Sequence, residues 1–174
     1  MPPSHAAIES PDVRWIEGSK FCCWAVITAA VVRHYGRARH DEVAARVTAF
    51  DVMDRVRSRD SLATTGHDPQ DFPYELEKAL VTYRHFANYH SHTVGASELS
   101  HELEAQHPVA ISFRWAGSAP DYPWHYALIL RVDRVDDSAT VWDPRSGVIS
   151  SSLTKLKFGY SDGGLWQATY FTQP

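Results

Sequence analysis

Apolar residues run almost unbroken from Phe21 to Val32, behind the polar lead-in Glu17-Gly18-Ser19-Lys20, and the run closes on Tyr35-Gly36. About four turns of such residues, ending on a glycine suited to the left-handed C′ position, predict a helix over Phe21 to Tyr35. Val43, Ala44, Val47 and Phe50 then repeat at i, i+3, i+4, and Val52, Met53 and Val56 keep the spacing, so a second helix is expected to run on towards Arg59. Asp71 is placed to cap a third helix with Pro73 near its start and Leu76 and Leu80 on its inner face. Ser97 opens a short fourth one that buries Leu99 and Leu103.

Beyond Pro108 the texture changes to strands: Val109 to Trp115, Trp124 to Val132 and Ser138 to Trp142, with Gly147 to Ser152 and Leu165 to Thr172 as further candidates. Gly117 to Pro123 and Asp136-Asp137 are the expected turns. Helices first, strands later and no βαβ alternation predict an α+β fold with a mainly antiparallel sheet. Residues 1 to about 12, rich in proline and small residues, are expected to form a flexible arm, and 13–174 a single domain.

Composition narrows the function. A chain of 174 residues with 44% hydrophobic and 22% charged residues can bury a core without staples. The net charge of −4, with thirteen arginines and four lysines scattered along the chain, gives no reason to expect a nucleic acid or an anionic membrane as partner. No apolar run reaches the ~18 residues of a membrane span. The opening Met1-Pro2-Pro3-Ser4-His5 lacks the pattern of a cleavable signal, so a cytoplasmic protein, or one exported without such a signal, is expected.

Both cysteines of the chain, Cys22 and Cys23, fall in the first turn of the first helix. A thiol there meets the positive end of the helix dipole, which favours the nucleophilic thiolate. Neighbours about 100° apart on a helix cannot both face one cleft, and adjacent cysteines are poor disulfide partners, so two thiols are expected. A cysteine nucleophile needs a base, and the base needs a group to orient it. Of ten histidines, His125 has the fitting position, at the head of the strand Tyr126-Ala127-Leu128-Ile129-Leu130. Asp143 ends another strand, Val141-Trp142-Asp143, before Pro144. Counted from the Asp136-Asp137 turn, the two do not lie opposite in a simple hairpin register; a bulge, a shorter strand or a lateral approach would be required.

Cys23-Trp24-Ala25 heading an apolar helix, Trp124-His125-Tyr126-Ala127-Leu128-Ile129, and Trp142-Asp143-Pro144, in that order, resemble papain-like cysteine peptidases, and most of all their compact bacterial branch of effector proteases and peptide-exporter leader peptidases. The likeness extends from about Trp15 to Tyr170. It implies a papain-like fold and hydrolysis of a peptide or amide bond through a thioester. In the implied triad Cys23 is the nucleophile, His125 the base and Asp143 its orienting acid. The substrate would be a peptide or protein, with no cofactor and no metal. The family places a glutamine about six residues before the nucleophile, where its amide joins the cysteine backbone N–H as the oxyanion hole; here that position is Glu17. A carboxylate has no donor, and losing one such donor costs roughly 10²–10³ in turnover. Glu17 protonated in a dry site, a donor from Ser19 or Lys20, or a weakened member of the family would each reconcile the difference. An acyltransferase, deamidase or cyclase on the same thioester, and a papain-like binding module, remain as alternatives.

Two other groupings carry less. His85, His90 and His92 have the spacing of a metal clip but no convincing fourth ligand, and Asp133, Asp136 and Asp137 read as turn residues rather than a calcium loop. Trp24 is expected to pack beneath the site, and Trp115 and Trp124 to flank the loop before His125.

Overall fold

The computed structural model describes residues 6–69, 71–115, 124–161 and 163–174. The fold is α+β, with helices concentrated in the N-terminal part and a largely antiparallel sheet after them. The chain divides into two compact units. Pro11–Phe86, with Pro174, forms one; Ala87–Gln173, with the stretch ending at Ser10, forms the other.

The helical unit is built on α1 (Cys23–Ala38), whose residues from Cys23 to Val32 are all buried. The helix does not stop at Gly36, as the C′ reading had it. It passes through that residue and is capped at Arg39. The glycine serves close packing instead: a Cβ on Gly36 would lie 2.6 Å from the Ala45 nitrogen and 2.7 Å from the Ala44 side chain. The expected second helix is broken. A 3₁₀ turn, Ala44–Arg46, is followed by α2 (Ala49–Arg59), which restarts at a reciprocal capping box between Thr48 and Asp51. Val43 and Phe50, read as part of its inner face, are exposed, while Val52, Met53 and Val56 are buried. α3 (Leu76–Thr82) begins at Glu75, so Asp71 is not its cap; Leu76, Ala79 and Leu80 are its buried face.

In the sheet unit, β1 (Ala6–Ala7) pairs antiparallel with a later strand, so part of the expected arm is held in the sheet. β2 (Phe86–His90) and α4 (Ala96–Glu104) precede β3 (Val109–Trp115), β4 (His125–Asp133), β5 (Ser138–Asp143) and β6 (Gly147–Ser152). A short α5 (Leu153–Gly159), which the hydrophobic pattern did not announce, leads to β7 (Gly164–Thr172). The strand order is β2-β7-β3-β4-β5-β6, with β1 beside β4. β3 is antiparallel to β4 and β7, and β5 is antiparallel to β4 and β6. Asp133 accepts the Val135 and Asp136 N–H groups at the β4–β5 turn, where Asp137 takes the left-handed conformation at φ 47°. The expected turn Gly117 to Pro123 lies outside the described residues. Among the described residues, no helix is long and apolar enough to cross a membrane.

Candidate active site

In the helical unit, the loop before the thiols is organised by one carboxylate. Asp71 Oδ1 accepts the Ser19 hydroxyl at 2.5 Å and the Phe21 N–H at 2.8 Å, and its Oδ2 accepts the Lys20 N–H at 2.8 Å. Ser19 Oγ in turn accepts the Cys22 N–H at 3.1 Å. The residues before α1 thus donate their hydrogen bonds to a side chain some fifty positions later, and the helix starts without an acid of its own in its first turn. The residue after Asp71 locks the next turn: the Trp24 indole donates to the Phe72 carbonyl at 2.9 Å, and its ring lies 5.3 Å from Phe72 and 5.2 Å from Tyr74. Cys22 is the N-cap and Cys23 the first helical residue.

The two thiols differ in setting. Neither is in a disulfide. Cys22 is fully enclosed, and burial pushes its thiol up despite the Ser19 hydroxyl and the Ile16 backbone, so it is held neutral and inert. Cys23 keeps 5% of its surface exposed.

In the sheet unit His125 and Asp143 meet. His125 Nε2 lies 2.9 Å from Asp143 Oδ2, with the imidazole 16% and the carboxylate 4% exposed. A bulge makes the meeting possible. Near the turn, Asp133 pairs with Ser138 and Arg131 with Thr140, but past the irregularity between Ile129 and Arg131, Ile129 pairs with Val141 and Leu128 with Trp142. One more step sets Asp143 across from Ala127, whose side-chain face His125 shares two residues on. Were the same residues paired in one unbroken register, Asp143 would fall opposite Leu128 and face away from His125.

Every face of the Asp143 carboxylate is occupied. Oδ1 accepts the Arg145 N–H at 2.7 Å and the Ser146 N–H at 3.1 Å, and Oδ2 accepts from the Tyr160 hydroxyl as well as from His125. Burial acts to raise its pKa, but the hydrogen bond and charge of His125, then the Tyr160 hydroxyl and the Arg145 N–H, outweigh it and bring the carboxyl down to about 2. An ionised acceptor on Nε2 fixes the tautomer: Nε2 carries the proton, and Nδ1 is the basic nitrogen.

No family model and no curated protein matches this chain. The site is therefore read from its own geometry. Its sequence-derived members fall in two places: His125 and Asp143 are brought together in the sheet unit, and Cys23 heads the helical unit. Glu17 lies exposed in a turn and not in a dry pocket. Ser19 donates its hydroxyl to Asp71, so it is not a spare donor, and the Lys20 side chain is exposed.

Two participants were missed in the sequence. Asp71 stands where a cap for α3 is expected, and an aspartate ahead of Phe72-Pro73 carries no mark of a partner near residue 20. Tyr160 had no signal beyond a tyrosine after a short amphipathic stretch. Trp115 flanks the base as expected, with ring centroids 6.2 Å from His125. His90 and His92 stack on each other at 5.1 Å, His85 stacks on Tyr35 at 4.8 Å, and no group of three or more metal-ligating side chains occurs among the described residues.

Proposed function

We propose that this chain is a papain-like cysteine peptidase that cleaves a peptide or amide bond. The observation carrying the proposal is the His125–Asp143 pair: an imidazole on the end of a strand, held by a buried and fully hydrogen-bonded carboxylate, with Nδ1 as its basic atom. The reading is supported at the other end by a cysteine as first residue of a buried helix, behind a loop pinned by Asp71.

In the proposed reaction His125 Nδ1 takes the proton of the Cys23 thiol, and Sγ attacks the substrate carbonyl. The Cys23 backbone N–H is a donor to the oxyanion. Collapse of the tetrahedral adduct breaks the C–N bond as the imidazolium gives its proton to the leaving amine. A thioester remains. Water, deprotonated at the same nitrogen, then releases the acid and restores the thiol. Asp143 keeps Nε2–H pointing at itself throughout and stabilises the imidazolium.

The test is the pH dependence of iodoacetamide alkylation, read residue by residue by mass spectrometry, for the wild type and His125→Ala. Rapid reaction of Cys23 well below pH 8, lost in the variant, with Cys22 inert in both, is the expected result. A Cys23 profile indifferent to His125 would overturn the proposal.

A second reading is favoured by Glu17, exposed and without a donor: a papain-like domain of low turnover that acts chiefly by binding. Restoration of the amide by Glu17→Gln separates the two, since only a competent thioester machinery gains from a second oxyanion donor.

A further inference from the structure

The Tyr160 hydroxyl shares Asp143 Oδ2 with His125. We infer that Tyr160 is a positioning residue that, through Asp143, sets both the orientation and the basicity of His125. Its meaning for catalysis rests on the peptidase reading; its action on His125 does not.

The placement of Tyr160 is constructed rather than incidental. Ser152 caps α5 by accepting the Lys155 N–H at 3.1 Å, and Leu153 and Leu156 anchor its inner face. Tyr160 follows as the C-cap residue in an extended conformation, with its ring stacked on Phe113 at 3.9 Å and 9°. Its backbone then pairs with Gly164 in both directions, N–H to carbonyl at 2.9 and 2.6 Å. Gly164 must lack a side chain: a Cβ there would meet the Tyr160 carbonyl at 2.8 Å and the Trp115 ring at 2.9 Å. A capped helix, a stacked ring, a two-way backbone bridge and a glycine thus converge on one hydroxyl, 4% exposed as a residue.

The direction of the effect follows from charge. Two donors on one carboxylate oxygen divide its negative charge, so Tyr160 weakens the hold of Asp143 on the imidazolium and makes His125 a less tightly protonated base. Oδ1, taken by two backbone N–H groups, fixes the plane of the carboxylate, and Tyr160 fixes where Oδ2 presents itself to His125. Burial and Asp143 together drive the Tyr160 phenol far above its ordinary value, which keeps it a donor at every working pH.

The experiment is a titration of the His125 ring by nitrogen-detected NMR in the wild type, Tyr160→Phe, Asp143→Asn and the double variant. Phenylalanine retains the ring on Phe113, and the backbone amide spectrum reports whether each variant is folded. Tyr160→Phe is expected to raise the His125 midpoint by about 0.5–1 pH unit. In the Asp143→Asn background the same change is expected to move nothing, because the route through the carboxylate is gone. A midpoint unshifted or lowered by Tyr160→Phe, or a shift that survives Asp143→Asn, would overturn the inference. The wild type supplies a check that needs no substitution: the Tyr160 hydroxyl proton should exchange slowly and resonate downfield, and a freely exchanging one counts against it. Site-resolved alkylation of wild-type Cys23 reports separately on the peptidase reading, so an inert Cys23 beside a shifted His125 rejects the reading and keeps the link.

Discussion

Asp71 and Asp143 are both aspartates placed by long-range folding, and they do opposite things with the same chemical group. Asp71 spends its oxygens on the chain entering α1: two backbone N–H groups and one hydroxyl that itself holds a third N–H. Asp143 uses one oxygen on two backbone N–H groups and turns the other to two side chains, an imidazole and a phenol. The first carboxylate fixes geometry, and the second fixes geometry and proton affinity together.

The sharpest way to break this contrast is to remove each acid in turn. Asp143→Ala should slow alkylation of Cys23 at pH 6 by about 10²-fold or more, as for loss of an effective acid–base partner. Asp71→Ala should act on folding instead, lowering stability by about 3 kcal/mol for its stranded donors, as read by urea unfolding, with faster amide exchange at Lys20 and Phe21. If Asp71→Ala changed the pH midpoint of Cys23 alkylation while leaving stability intact, the division of labour would be wrong.

Acid titration draws the line more finely. Asp143 is held at about 2 in the folded chain against an ordinary 3.8. A depressed carboxyl stabilises the fold above about pH 4, and that stability is lost as pH falls through about 2. The contribution is on the order of 2 kcal/mol. Urea midpoints measured from pH 5 to 2 should therefore fall more steeply in the wild type than in Asp143→Asn. The smallest effect expected is at Glu17: its replacement by glutamine should raise turnover on a peptide substrate by about tenfold, less than the roughly 10²–10³ of a fully engaged oxyanion donor, because position 17 lies in an exposed turn. Unchanged turnover would place Glu17 outside the chemistry.

The strands after Pro108 were legible because each is a run of β-formers bounded by turn residues; Val109–Trp115 and Gly147–Ser152 match residue for residue. The start of α1 was nearly so, since the thiols and tryptophan fall in its first turn. Its end was not, because Gly36 is required by the approach of Ala44 and Ala45, a contact that no local pattern announces. The break before α2 was hidden by apolar spacing that continued across Thr48, while the capping box there won on local hydrogen bonding. In the site, His125 and Asp143 could be named from their strand ends, but their register could not, since the irregularity near Leu130 sits in a uniformly apolar segment. Asp71 and Tyr160 act across fifty and seventeen residues, where sequence offers only composition.

The irregularity in β4 gives that strand a phase. Substitutions at Leu130 exchange one side chain for another and leave the pairing on either side as it was. Drawing the residues on both sides of it into one regular ladder would instead turn the half of the strand leading to His125 over by one face, as a frameshift changes every codon beyond it. The bulge thus absorbs one residue of length, and the face that His125 shows is set by the pairing beyond it rather than by which side chain stands at position 130.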